Sequence, residues 1–127
     1  MIFGIGTDLL DAARMRRLSA RFGERLPQRL LHEAEWDGFE RARDPAHFLA
    51  RCFAVKEAVA KAMGTGVQGF AHHDVGSVRD ALGKPELVFS PVLRQRLDGM
   101  GIGRGHVSLS DEGEWVLAFV LLEKSAG

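Results

Sequence analysis

The feature that most constrains the fold is one long, strongly apolar helix predicted near the middle of the chain. It is predicted to begin at Asp44-Pro45, an N-cap side chain followed by proline at the first helical position, and to end at Met63, before a C-cap glycine at Gly64. Apolar side chains recur along it at steps of four and three residues, at Phe48, Cys52, Val55, Val59 and Met63. A helix this apolar is expected to pack centrally rather than lie on the surface.

The remaining pattern places helices early in the chain and strands late. Further helices are predicted at residues 11–22, 30–43 and 91–97, and strands at residues 2–6, 75–79, 87–89, 106–110 and 115–123. This order favours an α+β fold rather than an array of parallel βαβ units. With 127 residues and no internal repeat, the chain fits a single domain covering residues 1–127.

The charge balance says little about partners, but the charge distribution says more. Lys plus Arg equals Asp plus Glu at 17 each, and aromatic residues do not alternate with the basic ones, which argues against nucleic-acid binding. Arg14, Arg17 and Arg21 share one helix face. That stripe is either an ordinary solvated face or a surface that attracts an acidic partner.

Cysteine content and hydropathy bear on location. The single cysteine, Cys52, excludes an intrachain disulfide and suits a reducing cytoplasm. The longest apolar run, residues 115–122, is too short to span a membrane, and the first residues lack the basic region of a signal peptide. We therefore expect a cytoplasmic protein that does not enter a membrane.

Glu57 and Lys61 are candidate site residues within the apolar helix. A carboxylate near a buried face is costly unless it is paired or bound to a cation. Lys61 lies one turn after Glu57, so the two form either an ordinary ion pair or a metal ligand beside an anion-binding lysine.

Asp8 is the second candidate acid, since it follows a short apolar strand directly. It is either the N-cap of the next helix or a catalytic-site acid. Gly4 and Gly6 allow close backbone approach, but Leu9 stands where a dinucleotide fingerprint needs glycine. Two carboxylates without a histidine or cysteine partner would suit Mg²⁺, which takes its other ligands from water and substrate phosphate.

The histidines offer no zinc pattern. His72 and His73 are adjacent and point differently, while His32 and His47 are isolated and expected at the surface. His106 opens a predicted strand, where it is either structural or a phosphate contact.

Four sequence blocks occur together in a characteristic order. They are GIGTDLL at residues 4–10 with Arg14 after it, FAVKEAVAKAMGTG at residues 53–66, GKP at residues 83–85 and HVSLSDE at residues 106–112. Over nearly the whole chain this arrangement resembles the holo-acyl-carrier-protein synthase family, the small bacterial 4′-phosphopantetheinyl transferases. The resemblance implies the 4′-phosphopantetheinyl transferase fold, with a long central helix packed against an antiparallel sheet, and a homotrimer with active sites between subunits.

The resemblance also implies a reaction in fatty acid synthesis. Coenzyme A would donate its phosphopantetheine arm to a serine of apo acyl carrier protein, releasing adenosine 3′,5′-bisphosphate. Asp8 and Glu57 would bind Mg²⁺, and Lys61 would offset phosphate charge. Either Glu57 or a metal-bound water that it orients would take the serine proton.

Further roles follow from the same resemblance. Lys61, Gly64, Lys84, Pro85 and His106 would contact coenzyme A. Arg14 and Arg21 would meet the acidic recognition helix of the carrier protein.

Two positions depart from the family pattern. Many members carry arginine where this chain has Cys52, with Arg51 one residue earlier, and some carry histidine in place of Asp111. A one-residue shift rotates a helical side chain by about 100°, which leaves the phosphate contact of Arg51 open. Two other hypotheses remain: a catalytically silent homologue that only binds coenzyme A or a carrier protein, and a nucleic-acid-binding domain.

Overall fold

A three-stranded antiparallel sheet forms one layer of the molecule, and a long helix covers one of its faces. The structure is a computed structural model that describes residues 1–66 and 70–126. The sheet has the order β1–β5–β4, from strands β1 (Ile2–Asp11), β4 (Ile102–Glu112) and β5 (Trp115–Lys124). Strands β2 (Val75–Arg79) and β3 (Pro85–Phe89) form a separate antiparallel pair.

The described residues form five α-helices in addition to these strands. They are α1 (Ala12–Phe22), α2 (Arg25–Leu30), α3 (Trp36–Arg41), α4 (Pro45–Met63) and α5 (Pro91–Gly99), with 3₁₀ turns at Glu33–Glu35 and His72–Asp74. The predicted α+β class, with helices packed on an antiparallel sheet, is confirmed. Within the described residues, no helix has both the length and the apolar character needed to cross a membrane.

Helix α4 has the bounds that its capping residues predict. The Asp44 carboxylate accepts a hydrogen bond from the His47 backbone N–H at 3.3 Å, and Pro45 occupies the first turn. Gly64 ends the helix with φ of 79°, a left-handed conformation that glycine adopts without steric cost.

Two glycines bring strand β1 into direct contact with α4. A Cβ atom added at Gly4 would lie 2.1 Å from the Ala62 carbonyl oxygen, and one at Gly6 would lie 2.1 Å from the Ala58 oxygen. Any side chain at either position would therefore push the strand away from the helix.

Alternation along the strands gives the sheet two different faces. On the face toward α4, the β5 side chains Val116, Ala118, Val120 and Leu122 have no solvent exposure. The opposite face, called the outer sheet face below, carries apolar residues that are 38–63% exposed: Ile5, Leu9, Trp115, Leu117 and Phe119. This exposed apolar surface is contiguous across two strands, and such patches mark interaction sites.

A buried ion pair joins α4 to the 3₁₀ turn at Glu33–Glu35. Lys56 Nζ lies 2.6 Å from Glu35 Oε1, and neither side chain has any solvent exposure. Lys56 also donates to the Val75 carbonyl oxygen, while Glu35 accepts from the backbone N–H groups of His32 and Ser77, each at 3.0 Å. Every one of these buried polar groups therefore has a partner, as burial requires.

Strand β1 is longer than its sequence pattern predicts. It continues past Gly6 to Asp11, because the ten-residue strand β5 pairs with it throughout and Leu10 is buried against the core. Asp8 therefore lies inside a strand. The N-cap of α1 is Asp11, whose carboxylate accepts from the Ala13 backbone N–H at 2.9 Å.

Two other predictions are wrong in detail. The single helix predicted at residues 30–43 is broken, because Leu31 is extended with ψ of 134° and a 3₁₀ turn follows before α3. His32 is 8% exposed rather than on the surface, and its Nδ1 accepts from the Ala34 backbone N–H at 3.0 Å. The His47 side chain is also mostly covered, with 13% exposure.

Candidate active site

Asp8 and Lys61 meet where β1 crosses α4. Asp8 lies on the face of β1 toward the helix, and Lys61 Nζ lies 3.3 Å from its Oδ1 and 2.8 Å from the Thr7 carbonyl oxygen. The absence of a side chain at Gly6 permits this contact, since a Cβ there would also lie 2.9 Å from Lys61 Cβ. Lys61 thus pairs with the acid of the strand.

Glu57 lies one turn before Lys61 on the same helix, but its described partner is a different residue. His72 Nε2 lies 3.5 Å from Glu57 Oε1. The simple helix ion pair between Glu57 and Lys61, one of the two interpretations of the sequence, is therefore not the arrangement found.

The two acids are close enough to influence each other's charge. Burial, the largest cause, raises the pKa of Asp8, and the negative charge of Glu57 raises it further, while Lys61 and Arg14 lower it. Two partly buried carboxylates that repel each other are a poor arrangement for stability unless a cation lies between or beside them.

The donor set fits Mg²⁺ better than a transition metal. Both acids offer hard carboxylate oxygens, and their side chains keep 16% and 26% exposure, so water and substrate oxygens can reach them. Residues 1–66 and 70–126 contain no group of three or more His, Cys, Asp and Glu that could hold a metal. Mg²⁺ does not need such a group, because it is usually held by one or two carboxylates plus water and substrate phosphates.

An aromatic contact links the carboxylate region to helix α1. Phe53 lies one turn before Glu57, and its ring stacks on His72 with centroids 5.4 Å apart and planes at 22°. The Arg14 guanidinium lies 5.6 Å from the Phe53 ring centroid. Arg14, Phe53, His72 and Glu57 therefore form one connected cluster from three parts of the chain.

A second cluster of predicted residues lies in a groove between β3 and β4. Lys84, Pro85 and His106 line this groove of about 420 Å³, together with Arg94 and Arg104. Neither Asp8 nor Glu57 lines it. The chain thus divides the residues that the resemblance assigns to coenzyme A into two separate groups.

The position of His106 explains part of this separation. In β4, residues 105, 107 and 109 share the α4 face through their register with β5, which leaves His106 on the outer sheet face. Its Nε2 lies 2.5 Å from Glu123 Oε2, and this contact, the largest cause, lowers the pKa of Glu123. His106 and the acid Asp8 are therefore on opposite faces of one sheet.

Gly64 and Arg21 lie at the C-terminal ends of α4 and α1, respectively. Gly64 caps α4 three residues after Lys61, and its N–H donates to the Lys61 carbonyl oxygen at 3.1 Å. Arg21 is in the last turn of α1, with its guanidinium 5.1 Å from the Phe22 ring centroid. Arg14 and Arg21 lie two helical turns apart, consistent with the shared face predicted for them.

Arg51 and Cys52 point in different directions, as expected of consecutive helical residues. Arg51 Nη1 lies 3.5 Å from Asp111 Oδ2 and 3.1 Å from His47 Nδ1, near the turn of the β4–β5 hairpin. Cys52 is buried, and this burial raises the pKa of its thiol well above the ordinary value. The thiol is therefore protonated and unreactive at neutral pH.

Sequence reasoning missed three residues that shape this region. No sequence pattern distinguishes Lys56 and Glu35, because lysine and glutamate are usually found at the protein surface. The sequence pattern of His72 bears only on zinc binding, which it does not favour. Its distance of 15 residues from Glu57 gives no periodic signal that could have linked the two.

Comparison with known proteins assigns the class. The sequence profile of the 4′-phosphopantetheinyl transferase superfamily matches residues 4–120. The chain belongs to this superfamily, as its motif blocks predict.

Within this superfamily, the chain is similar to several holo-[acyl-carrier-protein] synthases. The holo-[acyl-carrier-protein] synthase of Thiobacillus denitrificans is 53% identical over 127 residues, covering 99% of this chain and 97% of that protein. The crystal structure of the corresponding synthase from Neisseria meningitidis is 46% identical with a TM-score of 0.93, and covers 98% of this chain and 100% of that one. The Bacillus anthracis synthase, in complex with CoA (3′,5′-ADP), is 31% identical with a TM-score of 0.80, covering 98% and 99% of the two chains.

Proposed function

We propose that this protein is a holo-acyl-carrier-protein synthase that serves fatty acid synthesis. It transfers the 4′-phosphopantetheine group from coenzyme A to a serine of apo acyl carrier protein and releases adenosine 3′,5′-bisphosphate. The observation that carries the proposal is the meeting of Asp8, Glu57 and Lys61 at the β1–α4 contact. It occurs in a chain with 53% identity to a synthase of that name.

The chemistry requires neutralisation of charge around the pyrophosphate of coenzyme A. We assign Asp8 and Glu57 to Mg²⁺, which when bound would neutralise the non-bridging phosphate oxygens. Lys61 already carries one positive charge at Asp8 and can rotate toward a phosphate, because its side chain is 57% exposed. Glu57, or a water that it orients, takes the proton of the attacking serine.

The groove between β3 and β4 supplies the second part of the coenzyme A site. Lys84, Arg94 and Arg104 bring positive charge to it, and Pro85 and His106 line it. This composition fits a phosphorylated nucleotide, since guanidinium and ammonium groups are the usual phosphate partners. Gly64, which caps α4 after Lys61, is proposed to contact coenzyme A on the side of Asp8 and Glu57.

The carrier protein is proposed to dock on helix α1. Arg14 lies at the Phe53–His72 stack beside the acids, and Arg21 lies farther along the helix. An acidic helix placed along α1 would bring its serine toward the carboxylates. Such charge complementarity chiefly raises the association rate and fixes orientation.

We further propose that the protein is a homotrimer with active sites between subunits. The support is the outer sheet face, which leaves Trp115, Leu117 and Phe119 exposed on one strand. The separation of His106 from Asp8 by the sheet also fits, since a neighbouring subunit could supply the missing group. A cytoplasmic location is proposed as well, which the single buried cysteine, Cys52, suits.

Leu117→Glu tests the assembly. Placing a charge in the outer sheet face should convert the trimer to monomer in light scattering and reduce transferase activity. Leu82→Glu is the matched control, because Leu82 is 94% exposed in the β2–β3 turn, outside that face. A Leu117→Glu protein that has the same mass and activity as wild type contradicts the assembly proposal.

The transferase activity is tested with purified protein, coenzyme A, Mg²⁺ and apo acyl carrier protein. Wild-type protein should add the mass of phosphopantetheine to the carrier, and Asp8→Asn and Glu57→Gln should each lower kcat/KM on the order of 100-fold or more. Asp37→Asn is the control, since its side chain is 79% exposed and pairs only with Arg41 among the described residues.

The outcomes separate the alternative functions. Binding of coenzyme A or carrier protein without mass gain would favour the silent homologue. Full activity of both acid variants at limiting Mg²⁺ would show that the metal site is assigned wrongly. A steeply salt-dependent affinity for DNA or RNA would favour the nucleic-acid hypothesis.

A further inference from the structure

The Glu57 carboxylate contacts His72 through one of its two oxygens. His72 Nε2 lies 3.5 Å from Oε1, while Oε2 has no hydrogen-bond partner among the residues the structure describes. We propose that His72 is a positioning residue that holds Oε1 and thereby presents Oε2 to the divalent cation. This inference rests on the proposed function, because it takes Glu57 as a metal ligand.

The imidazole ring is held by an aromatic contact. It stacks on Phe53 with planes at 22° and centroids 5.4 Å apart. Phe53 and Glu57 are four residues apart on α4 and therefore share a helix face. The His72 ring that stacks on Phe53 therefore lies beside the Glu57 carboxylate.

The backbone that carries His72 is also anchored. In the same 3₁₀ turn, the Asp74 carboxylate accepts from the Ala71 N–H at 2.9 Å and from Ser90 Oγ at 2.8 Å. The Asp74 carbonyl oxygen accepts from the Ser90 N–H at 2.8 Å. These bonds fix the turn to the beginning of α5, so the position of His72 does not depend on its contact with Glu57.

The two acids of the site consequently have different partners. Asp8 Oδ1 faces the ammonium group of Lys61, which supplies charge, and Glu57 Oε1 faces an imidazole, which with its proton on Nε2 donates a hydrogen bond. Hydrogen bonds of this kind orient carboxylate ligands, and their loss typically lowers metal affinity about 10-fold to 100-fold.

Two substitutions separate the hydrogen bond from the stacking. His72→Phe retains an aromatic ring against Phe53 but removes the nitrogen, while His72→Gln retains an N–H donor without the ring. His73→Phe is the matched control, because His73 is the next residue and its side chain is 58% exposed. The probe is Mn²⁺, which accepts the same oxygen ligands, titrated calorimetrically in the presence of coenzyme A.

His72→Phe should bind Mn²⁺ about 10-fold more weakly than wild type and raise the metal concentration for half-maximal activity by the same factor. At saturating metal, kcat should change less than about twofold, because the reacting groups remain. His72→Gln should recover part of the lost affinity, and His73→Phe should match wild type.

Equal Mn²⁺ affinity of His72→Phe and wild type overturns the proposal. A lower Tm with unchanged Mn²⁺ affinity also overturns it, since that result assigns His72 a structural role only. Wild-type protein that binds Mn²⁺ but modifies no carrier protein refutes the proposed function instead, and the comparison of Mn²⁺ affinities remains valid.

Discussion

Removal of the buried lysine is the most informative test of what stabilises this fold. Lys56→Met keeps the length and apolar stem of the side chain but deletes its charge. The Glu35 carboxylate would then remain fully buried, with the backbone N–H donors of His32 and Ser77 and the neighbouring Cys52 thiol. The Val75 carbonyl oxygen would lose the ammonium group that now donates to it.

The expected cost is large for a protein of this size. Removing one member of a buried ion pair costs about 3–5 kcal/mol, compared with a total stability of about 5–15 kcal/mol for a typical domain. The free energy of unfolding should be measured in urea at fixed protein concentration, because assembly also contributes to it. In a thermal scan the Tm should fall by roughly 10–20 °C.

A second variant and a control make the reasoning refutable. Adding Glu35→Gln to Lys56→Met removes the unpaired charge, so the double variant should be more stable than Lys56→Met alone. Arg41→Met, which breaks the exposed pair with Asp37, should cost less than about 0.5 kcal/mol. A loss below about 1 kcal/mol in Lys56→Met, or a double variant less stable than the single one, refutes the account.

Two further predictions concern backbone contact and acid stability. Gly6→Ala should lower both Tm and activity strongly, because a Cβ would lie 2.1 Å from a backbone oxygen of α4. Gly99→Ala, whose Cβ would meet nothing within 4 Å, should be neutral or slightly stabilising in the same scan. The Arg16 guanidinium lowers the pKa of Asp44 to about 2, so this contribution to stability is present above the unfolded-state pKa near 4 and is lost as pH falls toward 2. Asp44→Asn should flatten the acid limb of the plot of stability against pH and Asp37→Asn should not, and equal acid limbs for both would contradict the assignment.

Local signals were sufficient for most of the fold. The capping residues predicted both ends of α4. Alternation predicted the two strands of the late hairpin, although β4 spans Ile102–Glu112 rather than residues 106–110. Predictions failed where a distant partner decides the structure. Strand β1 extends to Asp11 because β5 pairs with it, and the break after Leu30 depends on burial of His32 and Glu35. Periodicity within a window cannot report such contacts.

The residues of the candidate site could be predicted from the sequence, but the contacts between their side chains could not. Spacing and the family resemblance together predict Asp8, Glu57 and Lys61 as site residues. Spacing suggested Lys61 as the partner of Glu57, whereas in the fold Lys61 contacts Asp8 and Glu57 contacts His72. Both observed pairs join residues from different elements, so only the tertiary structure could reveal them.

Lys56 and Glu57 are consecutive, and their side chains therefore leave α4 about 100° apart. Lys56 is held in the buried pair with Glu35, while Glu57 contacts His72 and acts electrostatically on Asp8. The buried pair would therefore fix the rotation of α4 at Glu57. Buried ion pairs are a costly source of stability, which favours such a positioning role over simple stabilisation. The double variant Lys56→Met/Glu35→Gln tests this at temperatures where it is fully folded. The double variant should then need a higher Mg²⁺ concentration than wild type for half-maximal activity. An unchanged Mg²⁺ concentration would show that the Lys56–Glu35 pair only stabilises the fold.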